Sequence, residues 1–465
     1  MSEPELNKQD AADAFERSVE QYVVDAIDDG NLDRARELVE QLHNADVADL
    51  LEHLHTDDRN ALIDALHGDL DPVIFSELNE TVRDELVDYL GVEYVAAAVT
   101  ELEIDDAVQV VEELDDDEKQ QVLDAISAGD RTLIEEGLSF PEDSAGRLMQ
   151  REVVTVPEFW TVGETIDFLR NHADDMDGEG ASLPDLFYDI FVVDPSHKPL
   201  GSISLSRLLR ARRPVKVSEL MATEMKLIPA EQDQEDVAFL FRQRDLVSAP
   251  VIDSGGRLVG VITVDDVVDV IHEEHEEDIM RMGGVREDDL YDAAIDTTRA
   301  RFSWLLINLI TAILASAIIG LFEATIDQIV ALAVLMPIVA SMGGNAGTQT
   351  LTVAVRALAM KELTPTNALR VIGKELLVGC FNGIMFAVLT GAVAWFWFDS
   401  QTLGLVIGMA MVINMIVAGL AGTTIPLLLE RNGIDPAVAS SVFLTTITDV
   451  VGFAVFLGLA ALMLL

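Results

Sequence analysis

The 465-residue sequence contains one cysteine and few positive charges: 30 Lys and Arg stand against 82 Asp and Glu, giving a net charge of −52. With Cys380 alone, an intrachain disulfide is excluded and a thiolate zinc site is unsupported. The shortage of Lys and Arg excludes nucleic acid as a partner, because phosphate binding needs a basic footprint. The opening MSEPELNKQD has no basic-then-apolar signal pattern, so the hydrophilic part is expected in the cytoplasm. Aromatic residues make up only 6%. Long apolar runs are absent from the first 300 positions. Those positions hold 74 acidic and 24 basic residues, whereas positions 301–465 hold eight and six. The acidic excess has two readings: general adaptation to a saline, halophile-like cytoplasm, where salt screens self-repulsion, and local cation sensing.

What the second part does have is apolar length. Five stretches reach the roughly 20 residues needed to cross hydrocarbon: Trp304–Phe322, Ile329–Ala357, Leu369–Phe398, Thr402–Leu429 and Pro436–Leu465. Pro337 and Pro426 are candidate kinks. All six basic residues fall on one side of a five-pass arrangement: Arg301, Arg356, Lys361, Arg370, Lys374 and Arg431. The positive-inside rule makes that side cytoplasmic. The expectation is a multi-pass cell-membrane protein with a cytoplasmic soluble part and Leu465 outside.

The soluble part contains two kinds of repeat. LHTDDRNALIDAL (54–66), LNETVRDELVDYL (78–90) and LDDDEKQQVLDAI (114–126) align with Arg59, Arg83 and Lys119 in equivalent polar turns. This pattern predicts stacked short amphipathic helices across residues 15–135. FVVDPSHKPLGSISLSRLL (191–209) and PVIDSGGRLVGVITVDDVV (250–268) align at an offset of 59, each reading strand–turn–strand–helix start. The upstream match of Leu148-Met149 with Leu220-Met221 has an offset of 72. The difference predicts 13 extra residues in the first unit, near the acidic, Gly-rich Ala173–Leu183. These paired units resemble a tandem CBS module. The resemblance implies that Asp266 receives ribose hydroxyls and Thr263 lies near phosphate of ATP or another adenosine nucleotide. The competing reading is a helix N-terminus capped by the same two side chains. Arg207 takes the Asp266 position in the first unit, which puts a site there in doubt.

The second apolar stretch includes PIVASMGGNAGTQT (337–350), whose Ser341, Gly343, Gly344 and Gly347 permit close backbone approach or local loss of helix. Asn345 and Gln349 share a polar face with Thr348 and Thr350, serving either as interhelical glue or as a polar wall. Asn414 carries the same two readings. Asp449 lies 13 residues after Pro436, about 20 Å along a helix, inside an apolar segment. Such an acid is costly to insert and normally faces a pore or a partner charge. No deep Lys or Arg pairs with it, so a transported cation is the simplest compensation, with Thr445 one turn earlier on the same face. Oxygen ligands without a His, Cys or Met cluster favour Mg2+ held through its own water. Two Asp449 carboxylates on a C2 axis would supply the charge that one cannot. A protonated acid in a polar cluster is the competing reading.

The recognisable stretches DSGGRLVGVITVDDVVDV, RFSWLLINLITA, PIVASMGGNAGTQT and PLLLERNGIDPAVASSVFLTTITDVVGF resemble the MgtE family of magnesium channels and transporters across almost the whole chain. The resemblance implies a multidomain fold: an all-α superhelical domain (1–135), two α/β CBS domains (136–212 and 213–270), an acidic plug helix (271–295) and an α-helical five-span pore domain (296–465). It also implies a homodimer in the lipid bilayer, with Asp449 as the intramembrane Mg2+ ligand and Gly344 and Asn345 in the polar wall. In VDDVVDVIHEEHEED (264–278), like charges at helical spacing repel one another. Mg2+ at Asp265, Asp269, Glu274 and Glu277, with Asp435 opposite, would relieve the repulsion and close the pore; His272 and His275 read as incidental. Mg2+ is then both substrate and regulator, and no enzyme is implied. The rivals are a Co2+ or other divalent-cation transporter, a cation-coupled Mg2+ exporter, and a membrane-anchored sensor.

Overall fold

The computed structural model describes residues 19–27, 29–66, 68, 70–172, 183–184, 186–285 and 294–465. All of the predicted acidic insertion except Leu183, and residues 286–293 of the predicted plug region, lie outside this set. The chain divides into two compact units, Met1–His272 and Glu273–Leu465.

The first unit begins with short helices that include Asn44–His53, Thr56–Leu66, Ile74–Glu77, Glu80–Leu90, Ile104–Glu113 and Asp116–Ala125. None is long enough to be stable alone, so each depends on burying an apolar stripe against its neighbours. Leu62, Leu86, Val111 and Val122 are fully buried in this way. The repeated cations lie inside helices rather than in turns. Arg59, Arg83 and Lys119 are each the fourth residue of their helix, where the long side chain reaches carbonyls at or near the end of a preceding helix. Arg59 donates to Leu51 O at 2.8 Å and Leu54 O at 3.2 Å, and Lys119 to Glu112 O at 2.8 Å. Arg83 donates to Leu78 O and pairs with Glu113, while Arg59 pairs with Glu85 at 2.6 Å.

Two three-stranded sheets follow, with matching topology. Thr155–Pro157 pairs parallel with Asp189–Val193, which pairs antiparallel with Pro199–Ser204. Ile228–Pro229, Ser248–Ile252 and Leu258–Thr263 repeat the pattern, including an irregularity at the corresponding step. The lead segments cross over: Gln150 bridges to Val261 in the second sheet, and Ala222 bridges to Ser202 in the first. Glycine is required at each crossing. A Cβ on Gly260 would stand 2.7 Å from Gln150 O, and one on Gly201 2.7 Å from Ala222 O.

Among the described residues of the second unit, five helices are long and apolar enough to cross a membrane: Thr297–Gly320, Ala331–Ala359, Ala368–Phe398, Gln401–Arg431 and Ser441–Met463. The last belongs to a helix starting at Pro436. Helix continues through Pro337, the glycines after it and Pro426, so the local loss of helix allowed by the small residues does not occur. The fourth span is the most enclosed by the chain and the first the least. Its backbone packs against the third span through small residues: a Cβ on Gly404 would lie 2.6 Å from Gly391 O, and one on Gly379 2.7 Å from Met415 O.

Candidate functional site

The buried face of the second span follows helical spacing through Leu335, Val339, Gly343, Gly347, Thr350 and Ala354. The opposite face exposes Ser341, Asn345, Thr348, Gln349 and Thr352, a polar stripe not covered by the chain itself; Thr350, expected on it, is turned inward instead. On the last span Leu444, Thr448, Gly452 and Phe456 turn inward, Thr445 is exposed and Asp449 is half-buried. Two close contacts fix the level of these helices. A Cβ on Gly347 would lie 2.8 Å from the Leu444 side chain, while Gly343 and Gly452 both abut Asn414. Between those contacts lie Gly344 and Asn345 on one helix and Thr445 and Asp449 on the other. All four residues assigned to the ion path thus lie in the same section of these two helices, with Thr445 and Asp449 one turn apart. Open space surrounds Gly344, and Thr445 donates its hydroxyl to Ser441 O at 3.0 Å.

The two readings of Asn414 are separated by its burial. It is completely enclosed and donates to Val339 O at 2.9 Å, so it ties helices together behind the polar stripe. Glu375 in the third span went unnoticed in the sequence. It is buried, receives the Thr350 hydroxyl at 3.3 Å and pairs with Lys374 at 3.3 Å.

Acidic groups meet in the first unit as well. Asp265, Asp266 and Asp269 begin the helix Val264–Gly283, and the fields of Glu77, Glu103, Asp105 and Asp106 act on this group. Loss of solvent, then the charges of Asp106 and Asp266, pushes the Glu103 carboxyl up to about 7. Burial pushes Asp266 up to about 6, against the lowering effect of its bonds from Thr263. Burial, followed by the charges of Asp266 and Asp106, raises Asp105 well above the ordinary range, and its Oδ1 is buried without a donor among the described residues. The N-terminal carboxylates were illegible as a site because the surrounding helices are acidic throughout. Among the described residues, no three His, Cys, Asp or Glu side chains already converge closely enough to hold a metal.

The Val264–Gly283 helix carries Glu274, Glu277, Asp278 and Arg281 on its more protected side, while Glu273 and Glu276 are exposed. The two carboxylates expected to share Mg2+ share a guanidinium here: Arg281 pairs with Glu277 and donates to Asp435 Oδ2 at 2.7 Å. Asp435 Oδ1 accepts from Ala437 N at 2.7 Å, capping the last helix just before Pro436. Burial, then the Asp435 charge, raises Asp278, opposed by His275. Met282 packs with Leu351, Val355, Ala421, Ala437 and Leu444. Gly284 ends the helix at φ +69°, and a Cβ there would overlap the Trp304 ring.

Thr263 is buried and lines a narrow surface cleft, with only about 10 Å³ of free volume, together with Val153, Tyr188, Asp189, Phe191 and Ser248. Asp266 does not line it. Its Oδ2 accepts from Thr263 N at 3.1 Å and Thr263 Oγ1 at 2.7 Å, the pattern of a helix start. The donor set therefore suits a cap better than a ribose clamp at Asp266.

Stacked helices, paired α/β repeats with crossed lead segments and a five-span bundle carrying one deep aspartate define a multidomain membrane protein of the cation-transporter class. The chain belongs to the MgtE family. The model of the divalent cation transporter MgtE matches residues 336–459, that of the MgtE intracellular N domain 42–143, and that of the CBS domain 145–214 and 217–273. Among relatives, the magnesium transporter MgtE of Thermus thermophilus is 38% identical over 339 residues, covering 72% of this chain and 73% of that protein. The Bacillus subtilis magnesium transporter MgtE is 31% identical over 336 residues, with the same two coverages. The crystal structure of the cytosolic domain of the Mg2+ channel MgtE in complex with ATP has 30% identity and a TM-score of 0.49, covering 54% of this chain and 99% of that one.

Proposed function

We propose that this protein is a Mg2+-selective, Mg2+-gated channel that works as a homodimer and takes magnesium into the cell, with its soluble unit and CBS repeats cytoplasmic. The observation carrying the reading is that Gly344, Asn345, Thr445 and Asp449 lie between the same two helix contacts, beside a polar face not covered by the chain itself. A second copy across that face brings two Asp449 carboxylates to one axis. Mg2+ gives up its water reluctantly, so hydroxyl and amide groups hold the hydrated ion while the carboxylates supply charge. Relatives at 31–38% identity that carry the name magnesium transporter support the same ion.

Regulation uses the crowded acids. Asp265, Asp266 and Asp269, together with Glu103, Asp105 and Asp106, repel one another when ionised; Mg2+ offsets that repulsion and favours the closed form by linkage. Glu274 and Glu277 continue the acidic face, and Arg281 with Asp435 forms the fixed part of the latch. An adenosine nucleotide, when bound, belongs in the cleft lined by Thr263. Asp449→Asn tests the pore: Mg2+ flux into liposomes falls at least tenfold while folding and dimerisation persist. Wild-type flux and selectivity in that variant would refute the ion site.

A further inference from the structure

We infer that Asn414 is a positioning residue for ion selectivity, acting through the helices that carry Asn345 and Asp449. The inference rests on the pore reading above and concerns a side chain that does not touch the ion. Asn414 belongs to the most enclosed span and is itself fully buried. Its Nδ2 donates to Val339 O at 2.9 Å, crossing from the fourth span to the second. The same carboxamide fills two notches. A Cβ on Gly343 would overlap it, and a Cβ on Gly452 would stand 2.9 Å from Nδ2. Asn414 therefore separates the second and last spans at one depth. Gly343 lies two residues before Asn345, and Gly452 three residues after Asp449.

Packing alone does not call for asparagine here. Its Oδ1 is buried with no donor among the described residues, which is a cost that an apolar side chain would not carry. What the amide adds is direction. One bond to one backbone carbonyl fixes the second span in rotation and along its axis, and the flat carboxamide sets how closely Gly452 approaches. A hydrated Mg2+ ion held through its water shell is sensitive to such spacing, whereas Ca2+ accepts looser and more variable oxygen shells. Relaxing the wedge should therefore change which ion fits before it stops conduction.

The test uses the full-length protein in liposomes and bilayers, comparing Mg2+ with Ca2+ permeability. Asn414→Thr keeps a small polar side chain but turns its hydroxyl toward its own helix. Gly452→Ala keeps Asn414 and adds one methyl against it, on the side of the helix turned away from the open face. Both variants are expected to lower the Mg2+/Ca2+ permeability ratio at least threefold, while the cytoplasmic Mg2+ concentration giving half-inhibition stays within twofold. A purely structural role would lower the melting temperature and leave the ratio intact. A wild-type ratio in either folded variant overturns the inference; if Asn414→Thr does not fold, Gly452→Ala decides alone. Failure of the pore reading is distinguishable, because then the wild type carries no Mg2+ or Asp449→Asn conducts normally.

Discussion

Replacing Arg281 with Gln should open the channel in the absence of Mg2+. Arg281 makes two ion pairs of different kinds. The one to Glu277 lies within a single helix, four residues apart, and supports that helix in any gating state. The one to Asp435 joins segments 154 residues apart in sequence, so of the two it is the pair that a gate could use. Side-chain exposures of 41% for Arg281 and 31% for Asp435 place the pair between a surface contact and a buried one. After discounting for screening, a charge-assisted bond in that setting contributes about 1–1.5 kcal/mol. That corresponds to roughly a 5- to 12-fold shift from closed to open. The assay is single-channel open probability in chelator, followed by titration of cytoplasmic Mg2+. Inhibition persists in Arg281→Gln, because the acids around Asp266 are intact. Asp435→Asn serves as the partner variant, since Asn still caps the last helix. It should produce a similar shift, and the double variant should add little beyond either single change. An unchanged open probability without Mg2+, or fully additive shifts, would show that this pair does not hold the gate.

Protons and Mg2+ should compete at the acidic junction of the first unit. Glu103 at about 7 and Asp266 at about 6 lie above the ordinary carboxylate range, so the folded unit binds more protons than the unfolded chain between about pH 4 and 7. Stability from these groups is present below that window and is lost as pH rises through the folded values. Melting curves should therefore show larger Mg2+ stabilisation at pH 8 than at pH 5.5; equal stabilisation would count against the sensor. Arg83→Met removes a buried cation that satisfies Leu78 O and Glu113, and should cost about 3 kcal/mol. Thermal or denaturant unfolding of the full chain checks this, and a loss below 1 kcal/mol would mean that the helix-end bond is dispensable.

Much of the architecture was legible because two signals are long-range and redundant. Five apolar runs cannot be hidden by local chemistry; the bounds of the last four agree with the helices to within about two residues, whereas the first span starts seven residues earlier, at Thr297. The CBS repeat was visible at two offsets, 59 and 72, and the structure shows how both belong to one pseudo-symmetric pair. Strand residues match at the shorter offset and the crossed lead segments at the longer one, as Ser202 with Ala222 and Val261 with Gln150 demonstrate. Position within a helix was less legible. Arg59, Arg83 and Lys119 looked like turn residues because they sit among acids, yet their reach to a preceding helix end requires a helical first turn. The N-terminal half of the acidic junction was illegible for a compositional reason. With 74 carboxylates in the first 300 positions, no spacing distinguishes Asp105 from a solvated neighbour; only its burial does.

Asp435 shows why a cap and a functional ligand need not be rival readings. Its two oxygens divide the work: Oδ1 satisfies the Ala437 N–H at the start of the last helix, and Oδ2 receives the Arg281 guanidinium. The helix that it caps carries Asp449 fourteen residues later. Met282, next to Arg281, rests on Ala437 and Leu444 of that helix and on Leu351 and Val355 of the second span. Polar and apolar contacts from two adjacent residues thus converge on the inner ends of the helices that place Asn345 and Asp449. In the proposed mechanism, withdrawal of this short segment removes the guanidinium and the thioether together. The cap on Ala437 is unaffected, because it uses the other oxygen. The gate can therefore release without unwinding the helix that holds the pore carboxylate, which is the separation between regulation and conduction that a feedback channel requires.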